Sequence, residues 1–191
     1  MKKIILLIVI IAEITFAKEK LTTIAIINNK TITNIDILNE IQIIKILNKD
    51  FNNINFQQAA MTNLINEILQ IEEIKKFNIN IEENLIKKKY LEFASSLNTP
   101  INEKLEKRIY EKIKIESEWN RLVSKKFSWN LNVNIDEIDE KIKKEEKKFK
   151  DKNDEIQYKE KLILLEKNKK FQVYSTNYIN SLKKNALIKI Y

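Results

Sequence analysis

Across its 191 residues the chain contains no glycine. Any turn that needs a positive φ must then be made by a residue carrying a Cβ, and Asn is the type that does so at modest cost because its side chain bonds locally to the backbone. Asn positions between ordered runs therefore mark the turns. Asn28-Asn29 stands between two β-branched runs, and Asn78 stands just past a long helical pattern, where a left-handed C′ residue is needed. The lack of glycine also excludes every glycine-rich phosphate loop. With no Cys, no His and a single proline, Pro100, it removes disulfides, Cys/His zinc sites and thiol or imidazole catalysis as well. No cofactor or metal site is expected.

The charge balance calls for a restrained reading. The chain holds 36 Ile, 33 Lys and 24 Asn, close to half of all residues, and these three types share A/T-rich codons. A net charge of +8 then follows from codon bias as readily as from selection for a cationic surface. Nucleic-acid recognition favours Arg forks and stacking aromatics in a basic stripe, whereas only Arg108 and Arg121 are present and the lysines alternate with glutamates. No nucleic-acid partner is expected; peripheral contact with an anionic membrane surface stays open.

Met1-Lys2-Lys3 forms a basic start, residues 4–12 are unbroken apolar, and Thr15-Phe16-Ala17 supplies the small residues that signal peptidase reads. Cleavage after Ala17 leaves Lys18 first. Nine apolar residues fall well short of the roughly 20 that span a bilayer, and Glu13 blocks their extension. Export to the periplasm is the expectation, with an uncleaved anchor facing the periplasm as the alternative.

A mainly α chain with one small sheet is expected beyond the signal. Residues 23–27 and 30–32 form a hairpin, and Thr33 with Asp36 caps the first helix, in which Ile37, Ile41 and Ile44 make a stripe. After an Asn-rich loop at 48–55, a second helix over 56–77 carries Met61, Leu64, Ile68 and Ile71. A third carries Ile86, Tyr90, Phe93 and Leu97 until Asn98-Thr99-Pro100 stops it, and a fourth spans about 102–128. A short helix opens at Asp136-Glu137, a charged stretch follows over 141–152, and a last helix over 155–182 bears Leu164, Phe171, Tyr174, Tyr178 and Leu182. The segment 186–191 has a strand pattern whose only plausible partners lie near 24–32, so the termini should meet in the sheet. The organisation expected is a signal at 1–17, a helical domain over 18–150, and a closing helix and strand over 151–191 packed on that domain.

Catalysis finds no support. The carboxylate doublets Glu72/Glu73, Glu82/Glu83, Asp136/Glu137, Asp139/Glu140 and Glu145/Glu146 point about 100° apart on a helix and sit among lysines, so they read as solvated surface. Ser95-Ser96, Ser124 and Ser128 lack a base and a strained elbow. Aromatics are the better candidates for contact. Tyr90, Phe93, Trp119, Phe127 and Trp129 could line an apolar groove, although spacings of three and four more often describe core, and Trp129 lies just past a helix end where it is either an exposed contact or a plug on that end.

Ile24 through Asp36 resembles the opening hairpin and first helix cap of the SurA N-terminal domain family. Residues 63–70 with 75–79 are similar to its second helix, where the family usually has Gly at the Asn78 position. Residues 111–127 and 135–138 are similar to its long helix and the helix after it, and residues 169–171 with 186–190 to its closing helix and strand. Between Phe149 and Glu155, where family members usually carry parvulin prolyl-isomerase domains, this chain has a few charged residues. Isomerase activity is thus not carried over. The resemblance implies a non-catalytic periplasmic chaperone that holds unfolded outer-membrane or other exported polypeptides. A dedicated assembly subunit of the envelope, holding one folded partner, is the alternative.

Overall fold

The computed structural model describes residues 20–47, 55–97, 101–144 and 149–191. The expected signal and its Ala17/Lys18 cleavage, most of the 48–55 loop, the Asn98-Thr99-Pro100 stop and the Glu145/Glu146 doublet lie outside these residues.

The two runs flanking Asn28-Asn29 form an antiparallel hairpin of β1 (Thr23–Ile27) and β2 (Lys30–Thr33), with Ile27 opposite Lys30. Asn28 adopts φ 51°, so the turn is made at the residue type that substitutes for glycine. β3 (Ile188–Ile190) pairs antiparallel with β1, giving the order β2-β1-β3 and joining the two ends of the described chain. Strand alternation turns Ala25, Ile27 and Ile32 inward, each at most 1% exposed.

The described residues form six helices: α1 (Asn34–Leu47), α2 (Phe56–Lys76), α3 (Glu83–Ser95), α4 (Glu103–Lys126), α5 (Ile135–Lys144) and α6 (Lys152–Asn185). Thr33 and Asp36 cap α1 reciprocally: the Thr33 amide and hydroxyl donate to Asp36 Oδ2 (2.8 and 2.7 Å), and the Asp36 amide donates to Thr33 Oγ1 (3.3 Å). α2 ends in a Schellman motif. Asn78 takes φ 50°, its amide donates to Lys75 O, and the Ile79 amide donates to Ile74 O, each at 3.1 Å, while Ile74 and Ile79 are both buried. Asn55, Asn102 and Asp151 accept from the first turns of α2, α4 and α6. The Asp151 cap sets the start of α6 three residues earlier than the apolar pattern implies.

The main core joins the sheet to Leu64, Ile65 and Leu69 of α2, Trp119, Leu122 and Val123 of α4, and Tyr178 and Ile179 of α6. A second cluster holds Ile43 of α1 with Leu105 and Ile109 of α4. Two expected stripes are only partly buried. On α2 the buried positions are Ala60, Leu64, Ile65, Leu69, Glu73 and Ile74, whereas Met61, Ile68 and Ile71 sit at the margin, because sheet, α4 and α6 cover one flank of the expected stripe. On α6 Leu164 is 58% exposed, because the core is met only from Phe171 onward. Among the described residues, no helix is long and apolar enough to cross a membrane.

Candidate functional site

The five aromatics singled out by sequence do not share one face. Trp119 is core: 3% exposed, it stacks on Tyr178 at 5.3 Å and its indole N–H donates to Ser175 Oγ. Phe127 packs beside it against Tyr174 and Tyr178. Tyr90 and Phe93 lie on α3 over the second cluster, with the Tyr90 ring edge-on to Tyr110. The Tyr90 hydroxyl donates to Glu106 (2.7 Å), and this bond, more than burial, pushes its pKa up to about 12. Trp129 stands in the α4–α5 connection, 87% exposed. A single groove built from all five is therefore corrected: two pack in the main core, two over the second cluster, and one lies in solvent.

The structure does open a cleft where α1, α2 and α4 diverge beside α3. It encloses about 350 Å³ between Ile43 and Leu47 of α1, Phe93 of α3, and Ile109, Ile113 and Ile115 of α4. Of the five aromatics only Phe93 lines it. The α1 helix presents this wall because apolar residues surround much of it, so Ile43 is buried while Leu47 stays 51% exposed at the rim.

The cleft's floor is polar and held in place by charge. Glu40 of α1 is 1% exposed; its Oε1 accepts from Asn63 Nδ2 (3.0 Å) and its Oε2 lies 2.9 Å from Lys112 Nζ. Lys112 also reaches Glu67 (2.9 Å), and Arg108 reaches Glu67 at 2.6 Å. Two carboxylates and two cations from three helices thus neutralise one another. Each is held in place by the others, and that suits a floor whose geometry does not adapt. Beside them, Asn66 Oδ1 is buried with no hydrogen-bond partner among the described residues.

Sequence reasoning missed this floor entirely. Glu40 lies among isoleucines and Glu67 among apolar α2 residues, and no spacing rule pairs them with Arg108 and Lys112 on a helix far along the chain. One of only two arginines in the chain was the available signal. The reading of Glu72/Glu73 as solvated is also corrected. Glu73 is 8% exposed and accepts from the Tyr178 hydroxyl, and Glu72 accepts from Asn28 Nδ2 (2.6 Å), since α2 turns this doublet toward the sheet and α6. No grouping of three or more metal-ligating side chains occurs among the described residues. Neither a protein-family model nor a curated protein matches the chain.

Proposed function

We propose that the protein is a non-catalytic, SurA-like chaperone of the cell envelope that holds segments of unfolded exported polypeptides in the cleft between α1, α2, α3 and α4. The observation that carries this reading is a cleft of about 350 Å³ whose isoleucine, leucine and phenylalanine walls stand over a charge-neutralised floor. Apolar walls respond to the hydrophobicity of a segment more than to its order of residues, so recognition tolerates many sequences. Holding a client in this way needs neither nucleotide nor covalent chemistry.

The test is a titration of the purified protein into a labelled, unfolded outer-membrane barrel protein, followed by client anisotropy and aggregation. Binding at about micromolar affinity with suppressed aggregation is expected. Leu47→Asp is the informative variant. Leu47 is half-exposed at the rim, so folding is spared while the cleft gains an unpaired charge, and affinity should fall about tenfold or more. Unchanged affinity in this variant removes the cleft from the reading. Absence of binding to several unfolded clients, with capture of one folded partner at fixed stoichiometry, transfers the function to a dedicated assembly subunit.

A further inference from the structure

Three stretches of the chain contain neither Asp nor Glu: residues 74–81, 119–135 and 167–191. They hold eleven of the 35 cations and none of the 27 acids, while the rest of the chain, with 24 cations to 27 acids, is slightly negative. Codon bias raises lysine throughout a chain; it does not empty particular stretches of acids.

The fold brings the three stretches together at one end of the molecule. α2 and α4 run the same way, Glu67 meeting Arg108 and Lys112, and Phe77 meeting Lys126 at their C-terminal ends. The Lys126 ammonium lies 4.8 Å from the centre of the Phe77 ring and 4.9 Å from that of Tyr178. Phe127 stacks on Tyr174 at 5.2 Å, and Lys170 donates to the Asn132 carbonyl (2.6 Å). The Phe127 carbonyl accepts from the Asn130 and Leu131 amides, and Leu131 is buried. This anchored turn holds Trp129 outward, so its 87% exposure is built into the fold.

The charges at this end are mostly unopposed. Lys75, Arg121, Lys125, Lys167 and Lys169 are exposed with no ion-pair partner among the described residues, and Lys126 and Lys170 meet only rings and a carbonyl. Among the bordering acids, Glu73 and Glu118 are buried, Glu72 accepts from Asn28, and Glu166 pairs with Lys141. Glu82, Asp136 and Glu137 are exposed at the starts of α3 and α5, where the positive ends of those helices offset them.

We propose that this end of the molecule docks on an anionic phospholipid bilayer, Trp129 seating its indole among the headgroups while the lysines face lipid phosphates. Tryptophan settles at that depth because its ring is apolar and its N–H polar. Lysine suits a fluid surface, since a point charge asks no fixed geometry of its partner. Nucleic acid favours Arg forks and several stacking rings, whereas the three stretches contain one arginine, and Lys126 lies over Phe77. A folded acidic protein requires a complementary surface, which a projecting Trp129 does not offer. Docking here rests on no part of the cleft reading.

The test is flotation of the purified protein with vesicles of phosphatidylcholine, alone or with about 30% phosphatidylglycerol, at low and high salt. Any binding through the apolar run at 4–12 acts on both vesicle types and cancels in the comparison. Affinity should be at least about tenfold higher for the anionic vesicles and should fall with salt. Each lysine near such a surface contributes about a fivefold gain, so Lys125→Glu with Lys169→Glu should lose at least about twentyfold. Lys87→Glu with Lys107→Glu, equal in charge but on α3 and early α4, should lose less than about threefold. All four lysines and Trp129 are exposed, so folding is spared. Headgroup spin-labelled lipid should quench the tryptophan emission, and Trp129→Phe should abolish that quenching and leave the buried Trp119 signal. Equal binding to the two vesicle types, equal losses in the two double variants, or quenching that persists in W129F overturns the proposal. So does binding to poly-glutamate or to an oligonucleotide as tight as to the anionic vesicles.

Discussion

Asn28 and Asn78 occupy the same backbone region for different ends, and a single substitution separates them. Asn78 contributes its positive φ and no side-chain hydrogen bond to any described residue. Asn78→Ala should therefore cost about 1–2 kcal/mol, whereas Asn78→Gly should change stability by less than about 0.5 kcal/mol. Asn28 adds two side-chain bonds to its φ of 51°: Nδ2 donates to Glu72 (2.6 Å), and Oδ1 accepts from the Leu187 amide (3.0 Å). Asn28→Gly keeps the turn and loses both, so about 2 kcal/mol should disappear. Urea midpoints with unchanged m-values check the contrast; equal responses at the two sites would contradict it. Glu118 supplies a pH-dependent counterpart. Its folded pKa is raised by burial, so the ionised carboxylate weakens the fold. That penalty is absent below the unfolded carboxyl pKa and is complete only above the folded one. Glu118→Gln should stabilise the protein at neutral pH, and the gain should close as the pH falls to about 4. A constant difference across that range would show that the charge is not the cause.

Among the elements, β3 has the largest effect for its length. Three residues complete the sheet, and the Tyr191 amide donates to Ile24 O (2.9 Å) while the Asn28 amide donates to Leu187 O (2.8 Å). Removing residues 186–191 leaves β1, whose inward residues are core, as an open edge. That truncation should cost about 2–4 kcal/mol from several lost backbone bonds and speed aggregation in light scattering. The sheet was legible in the sequence because 23–32 and 186–191 are the apolar β-branched stretches left outside helices, and a short strand needs a partner. Caps were legible too: Thr33, Asp36 and Asn78 act through bonds within a few residues, which sequence encodes directly. Glu40, Glu67 and Glu118 were not legible. Their burial is decided by which helices flank them, and in a chain where isoleucine occurs at almost every phase of α1 the periodicity does not say which flank turns inward. The stripe on α2 was turned in the same way by the elements that flank it, whereas on α6 the stripe kept its face and only Leu164 lies beyond the reach of the core.

At the scale of the whole molecule, stability is distributed unevenly, and α6 displays the gradient along its own length. Its C-terminal part belongs to the core through Phe171, Tyr178, Ile179 and Leu182, and there the Tyr178 hydroxyl reaches the buried Glu73. None of residues 152–170 is buried. That half is held mainly by α5, through Ile138 and Ile142 and the ion pairs Lys159–Asp139 (2.5 Å) and Lys141–Glu166 (3.4 Å). Exposed ion pairs contribute about 0–1 kcal/mol each and are screened by salt, so α5 and the first half of α6 should open together at much lower free energy than the core. Native-state hydrogen exchange should find amides over 171–185 protected close to the global unfolding free energy, and those over 155–167 opening at least about 2 kcal/mol below it. Added salt should widen that gap. Tyr178→Phe should narrow it from the other side: it takes the hydroxyl donor from the buried Glu73 carboxylate, leaving it Lys76 at 3.6 Å, and lowers the core by about 1.5–3 kcal/mol while leaving the outer half almost unaffected. Uniform protection along α6 would mean that the helix is one cooperative unit, and that its exposed Ile156, Leu164 and Leu165 are held in place by something stronger than α5.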